Sequence, residues 1–348
     1  MPTSGVDDRK IAILRKVIEH YVSTGQPVGS SHVASLPGVN VSAATIRNDM
    51  AALEAEGFLA QPHTSAGRVP TDKGYRKYVD HLTSTDVAKA GKLATAQRQQ
   101  VGDFFDTAHL KLEDTLHRTS LLLAQLTNYT AVVTGPSAVE AEVRSVQVVS
   151  LNDHTGTVVA VLSSGEIVNE PIEFDKAPTD AQVARATERL REAFVGKTLS
   201  SVRFASRADT QHATASVDTV AEKIATQAAT ALGAGSSREN VFVGGTASLT
   251  RAFDAVEVVR SVLEALEQQY VVVSLVRDML NRGVSVAIGA EHGVEPLSAC
   301  SVVLAPVVRD GETVGSVGVL GPTRMNYPAA LATVEVVSDR LGRRLAEG

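Results

Sequence analysis

The feature that most constrains the fold is the order of punctuation in residues 1–82. Ile11, Leu14, Ile18 and Tyr21 recur at spacings of 3, 4 and 3, which is one face of a helix, and Gly25-Gln26-Pro27 ends it. Ser30–Leu36 predicts a short helical turn closed by Pro37-Gly38. Ser42 has the side chain of an N-cap ahead of a helix running to about Glu56, and Gly57 is its stop. Phe58–His63 and Arg68–Pro70 then read as extended pieces around the turn Thr64-Ser65-Ala66-Gly67. Thr71 can cap a further helix, Asp72 to Leu82. Helix, short helix, helix, hairpin, helix is the order of a winged helix-turn-helix.

The rest of the chain is too long for one core. At roughly 100–200 residues per domain, 348 residues predict two or three domains. Asp86–Leu126 has a polar-rich helical pattern and reads as a connecting helix or helical pair. Tyr129–Gly135, Val143–Asp153, Thr157–Leu162 and Glu166–Ile172 are Val-rich and turn-bounded, and predict strands. An Ala-rich stretch from about 175 to 269 predicts helices at Asp180–Phe194, Val217–Leu232 and Phe253–Leu266, with a short strand Asn240–Val243. Strand character returns at Val284–Gly289, Ala299–Val308 and Thr313–Leu320, with Asp310-Gly311 as a hairpin turn and a final helix Pro328–Leu345. The expected class is α+β multidomain. Residues 1–83 form the winged helix-turn-helix and 84–127 a helical linker. Residues 128–174 and 270–348 form a discontinuous α/β domain, interrupted by a mostly helical insertion over 175–269.

Composition narrows the setting. Hydrophobic residues at 44% and charged residues at 21% are ordinary globular values, which excludes disorder for most of the chain. The opening MPTSGVDDRK carries acids and no apolar run, unlike a signal peptide, and the single cysteine, Cys300, permits no intrachain disulfide. A cytoplasmic protein without a membrane span is expected. Net charge is −6, but it is uneven: residues 1–82 hold nine Lys/Arg against eight Asp/Glu, and the remainder holds 24 against 31. Arg68, Lys73, Arg76 and Lys77 against only Asp72 make a local basic stripe, which is compatible with double-stranded DNA as partner.

The helix from Ser42 carries the sharpest chemistry. With Ile46 pointing inward, Met50 and Leu53 fall within about 40° of it at 100° per residue, and Ala44, Arg47, Asn48 and Ala51 lie opposite. Arg and Asn are the side chains best shaped for bidentate contacts with guanine and adenine edges, and small neighbours let a helix sit deep in the major groove. Ser42 and Thr45, near the helix N-terminus, are placed for phosphate or base contacts. An ordinary amphipathic helix with a polar solvent face has the same pattern, so the wing matters. His63, Thr64, Ser65 and Arg68 form a polar tip suited to a phosphate ridge or the minor groove. Tyr75 and Tyr78 read as packing residues, and Arg76 and Lys77 as able to approach the DNA backbone.

Three runs of residues resemble the HrcA family, the heat-inducible transcription repressors of bacteria. The first is Val41-Ser42-Ala43-Ala44-Thr45-Ile46-Arg47-Asn48-Asp49-Met50 with Leu53–Leu59 and His63–Thr71; the second is Gly318–Tyr327; the third is Val241-Phe242-Val243-Gly244-Gly245-Thr246. The resemblance spans nearly the whole chain and is weakest over the linker and the helical insertion. It implies a homodimeric repressor of class I heat-shock (chaperone) operons that binds the inverted-repeat CIRCE operator and is modulated by the GroEL chaperonin. It also implies that the discontinuous α/β domain is GAF-like and that the insertion dimerises, which would set half-site geometry. An alternative is a metabolite-responsive winged-helix regulator sensing a ligand in the GAF-like domain.

Other constellations are weaker. Gly244-Gly245-Thr246 lacks the Gly-Lys-Ser/Thr of a phosphate loop and reads as a turn with Thr246 or Ser248 capping a helix. Asp106, His109, Glu113 and His117 share a helical stripe that reads as a solvated face rather than a metal site. Cys300 sits in an apolar run and reads as buried and inert rather than as a nucleophile beside His292. Arg324 reads as a packing residue between the α/β core and the last helix. No catalytic set stands out, so no enzyme, cofactor or metal is expected.

Overall fold

A computed structural model describes residues 8–39, 41–63, 66–84, 93–106, 111–136, 141–163, 167–198, 219–235, 241–253 and 255–347. The N-terminal elements are α1 (Asp8–Thr24), α2 (Ser30–Ser35), α3 (Ala43–Ala55), the strands β1 (Leu59–Ala60) and β2 (Val69–Pro70), and α4 (Asp72–Ser84). Leu14, Ile18, Val33, Ile46, Leu53, Leu59 and Val79 are buried among them. The end of α3 shows why Gly57 is there. Phe58 N donates to Leu53 O (2.8 Å) and Gly57 N to Glu54 O (2.9 Å), a Schellman closure that requires the φ of +78° a glycine tolerates. Thr71 caps α4, its Oγ1 accepting from Gly74 N (3.1 Å) and donating to Gly57 O (2.7 Å).

The hairpin is shorter than its sequence suggests. Among the described residues only Leu59 with Pro70 and Ala60 with Val69 pair in β1–β2, antiparallel. Beyond them Pro62 has no N–H to give, and Gln61 turns its side-chain amide to Ala66 O (3.0 Å) instead of extending the ladder. The base of the hairpin is tied from the other side, where Val28 and Arg68 exchange two backbone hydrogen bonds of 2.9 Å each.

The chain divides into two compact units. One holds the N-terminal elements together with 117–133 and 241–345, and the other is built mainly on 134–240. The first contains a five-stranded sheet in the order β7-β3-β10-β9-β8, from β3 (Thr130–Thr134), β7 (Val241–Gly244), β8 (Val286–Ile288), β9 (Cys300–Arg309) and β10 (Glu312–Pro322). β9 and β10 form the expected antiparallel hairpin around Asp310-Gly311. Between the N-terminal elements and this sheet run the helices α5 (Thr95–Asp106) and α6 (Leu112–Thr127). The second unit is an antiparallel meander of β4 (Val143–Ser150), β5 (Thr155–Leu162) and β6 (Ile167–Glu173), packed on α7 (Asp180–Phe194) and α8 (Thr219–Gly235). Val146, Val148, Val158, Ala160, Leu190, Phe194, Ala228 and Leu232 share its core.

This partition differs from the sequence expectation. Strands 143–173 make their own sheet rather than joining the C-terminal strands, whereas 241–267, expected within the insertion, lies in the unit of the five-stranded sheet. The physical reason is one-sided burial. β4 and β6 alternate buried and exposed residues and need helical cover on one face only, while β3 is buried throughout. The first unit also holds α9 (Leu249–Ala252), α10 (Val256–Glu267), α11 (Gln269–Asn281) and the closing α12 (Tyr327–Glu347). Among the described residues no helix is long and apolar enough to cross a membrane.

His292, in the 3-10 turn Gly289–His292, is buried beside β8. Its Nε2 lies 3.0 Å from Leu297 O and its Nδ1 accepts from Val294 N at 3.2 Å, so the ring is held neutral. Burial pulls its pKa below the ordinary 6.5, outweighing the upward pull of its backbone partners. The unfolded chain therefore binds the proton first, and stability present above pH 6.5 is lost as pH falls below it. The melting temperature of the first unit should drop on acidification from pH 7 to pH 5 (about the range in which histidines titrate), and His292→Gln should remove that component. An unchanged acid profile in His292→Gln would assign the drop to other groups.

Candidate nucleic-acid interface

α3 presents the face the sequence predicts. Ile46, Met50 and Leu53 are buried, while Ala44, Arg47, Asn48 and Ala51 are exposed. Ser42 is the N-cap: its Oγ accepts from Thr45 N (3.2 Å) and lies 3.0 Å from Thr45 Oγ1. Both hydroxyls thus sit at the start of the helix, where backbone N–H groups point outward and an anion is favoured.

A residue the sequence reading passed over fixes this helix. Asp49 is buried on the inward side and accepts a two-pronged contact from Arg9, Nε at 2.9 Å and Nη2 at 3.2 Å. The fork ties α1 to α3 opposite the exposed face. The signal was available, since a carboxylate three residues after inward Ile46 has to find a cation if the helix is to pack.

On the wing and α4, two of the expected cations make ion pairs within the protein. Arg68 donates from Nε to Glu54 Oε2 at 2.8 Å, a partly exposed ion pair between the wing and α3. Arg76 is committed to the protein as well: Nε donates to Glu291 Oε1 (2.9 Å), and Nη2 donates to Val286 O (2.7 Å) and to Glu291 Oε2. His63 is exposed at the tip, its carbonyl accepting from Ala66 N (2.9 Å). Thr64 and Ser65 lie outside the described residues. Lys77 is half-buried on α4, and Lys73 donates to Glu56 O (2.8 Å) at the C-terminus of α3, its ammonium 4.7 Å from the Phe58 ring centre. Tyr75 and Tyr78 are buried packing residues. Of the described candidate residues, Ser42, Arg47 and Asn48 on α3 and His63 at the tip are exposed, and Thr45 and Lys77 are half-buried.

The remaining constellations fall elsewhere. Gly244 lies against the backbone of Ser120 on α6, where a Cβ would come within 2.6 Å of the Ser120 carbonyl, so close packing rather than phosphate binding explains it. Neither Thr246 nor Ser248 makes the expected side-chain cap; the chain turns through Gly245 at a φ of +74° instead. His109 lies outside the described residues, and exposed His117 sets its ring 6.2 Å from that of Phe242. Cys300 is fully buried, and burial pushes its thiol up to about 12, the behaviour of an inert core cysteine.

The family model described as "HrcA protein C terminal domain" matches residues 113–331. A heat-inducible transcription repressor HrcA of Mycobacteroides abscessus is 40% identical over 348 residues, covering 99% of both chains. The chain belongs to the HrcA family. The HrcA protein of Rhodococcus jostii is 39% identical, again over 99% of each chain. The HrcA family model begins beyond the N-terminal elements, so for α1–α4 the family relation rests on these full-length relatives. One crystal structure, of a hypothetical protein, superposes with a TM-score of 0.64 at 23% identity, covering 98% of this chain and 99% of that one; it shares the mixed α+β fold.

Proposed function

We propose that this HrcA-family chain is a heat-inducible transcription repressor that binds double-stranded DNA as a homodimer, at the inverted-repeat CIRCE operator of chaperone operons. The observation that carries the reading is the exposed face of α3, where Arg47 and Asn48 stand among the small residues Ala44 and Ala51. In this reading residues 1–83 are a winged helix-turn-helix, Arg47 and Asn48 read base edges, and Ser42, Thr45, His63, Thr64 and Ser65 hold the backbone. The five-stranded unit serves as the GAF-like body and the inserted residues as the dimerising part. The chain is cytoplasmic and sits on the nucleoid when bound, performs no chemistry, and is kept competent by the GroEL chaperonin. Names of the relatives support repression and heat induction.

The test is fluorescence anisotropy of a labelled inverted-repeat duplex against one with a scrambled half-site, at physiological salt, with and without GroEL. A preference of about a thousandfold for the intact repeat is expected, together with a larger active fraction when GroEL is present. Equal weak binding to both duplexes removes the operator-reading function. Lys77→Ala should weaken specific and random DNA alike and flatten the salt dependence by about one phosphate contact. A selective loss on the operator with the salt slope unchanged would put Lys77 at a base edge instead.

A further inference from the structure

Arg76 was expected at the DNA backbone, and its surroundings give it another task. All three of its guanidinium nitrogens face protein oxygens: Nε faces Glu291, Nη2 faces Glu291 and Val286 O, and Nη1 lies 3.6 Å from Asp80. Glu291 is itself held, its Oε2 accepting from Ile288 N at 2.9 Å. Burial pushes the Glu291 carboxyl upward, but the Arg76 and Ile288 hydrogen bonds outweigh it, so it stays charged and below its ordinary range. One residue before, the buried ring of Tyr75 meets that of Tyr327 at 5.8 Å between centres. Tyr327 is tethered by Ser301 Oγ (2.8 Å) and by donating to Thr323 O (2.7 Å). A second attachment lies at the turn after α1. A Cβ on Gly25 would come within 2.9 Å of Arg324 Nη1, so the Gly318–Tyr327 run reaches the N-terminal elements there too.

We propose that Arg76 is a positioning residue: its fork to Glu291 sets the angle at which the N-terminal reading head is held on the five-stranded sheet, and thereby the half-site spacing the dimer accepts. The inference rests on the operator-binding function proposed above. The α4 attachment and the close approach of Arg324 at the α1–α2 turn restrict rotation of the head while leaving the exposed face of α3 outward. Spacing is sensitive to that angle. A swing of about 10° over a lever of roughly 20 Å moves the helix by about 3.4 Å, one base-pair step. An Arg–carboxylate fork suits the role because its planar two-point contact fixes direction as well as distance.

Three duplexes test this by anisotropy: the inverted repeat, the same repeat with its spacer changed by about two base pairs, and a single half-site. Full-length wild type should prefer the native spacing by about tenfold or more. Glu291→Gln and Arg76→Gln should bring that ratio to within about twofold, with half-site affinity and salt slope nearly unchanged. The charge swap, Arg76→Glu together with Glu291→Arg, should restore most of the discrimination, and it carries the test if a single variant does not fold. Retention of the full spacing ratio in Glu291→Gln, or its absence in a folded swap, overturns the proposal. So does a uniform weakening on all duplexes with a flatter salt slope in Arg76→Gln alone, the signature of a phosphate contact. Wild type binding all three duplexes equally would instead remove the operator reading on which the inference stands.

Discussion

Arg47→Ala should cost operator binding about 1–3 kcal/mol, roughly a fivefold to 150-fold loss, together with relaxed base preference at one position of each half-site. The size follows from geometry. Arg47 is exposed on the outward face of α3, flanked by Ala44 and Ala51, which are small enough to let the helix approach a groove floor closely. If Arg47 reads a base edge as proposed, its removal deletes a two-point contact without disturbing the buried face of Ile46, Met50 and Leu53. The measurement is affinity for the operator and for single-base variants of it, at one salt concentration. A variant with full affinity and unaltered preference would strike Arg47 from the base-reading set and leave Asn48 to carry it.

Leu53→Ala acts on the other side of the same helix and should cost about 2–5 kcal/mol of stability, through lost burial and an unfilled cavity. Leu53 is 0% exposed, and its carbonyl receives Phe58 N in the closure that turns the chain into the hairpin. The expected result is a lower denaturation midpoint for the N-terminal elements. Operator affinity measured well below that midpoint should fall less than in Arg47→Ala. A loss of stability under about 1 kcal/mol would mean the site collapses around the smaller side chain.

Helix α3 was readable in sequence because one period sorts its residues: Ile46, Met50 and Leu53 inward, and Ala44, Arg47, Asn48 and Ala51 outward. What the cations do was not readable, since their partners are remote. Arg68 and Glu54 are 14 residues apart, and Arg76 and Glu291 are 215 apart, so two of the four cations in the stripe have acidic partners that local sequence does not reveal. Helix α11 shows a different failure. Tyr270-Val271-Val272-Val273 favours a strand by composition, and the sequence reading assigns no element to 269–281. The spacing of buried Val272, Leu275, Val276 and Met279 is nevertheless helical, and packing against the five-stranded sheet's core decides it. Strand partners were the least legible. Val-rich segments announce strands, but only the faces they bury separate 143–173 from the C-terminal strands.

The position of β3 has a consequence for synthesis. This wholly buried strand lies between β7 and β10, and both neighbours are encoded far downstream of it. During translation Thr130–Thr134 emerges with neither side paired, and its second neighbour follows roughly 180 residues later. At about 5–20 residues per second that is a wait on the order of ten seconds or more. Throughout it the nascent chain carries an apolar segment with two open hydrogen-bonding edges, the chemistry that holding machinery captures. Strand order therefore sets how long each newly made copy carries β3 without its native neighbours.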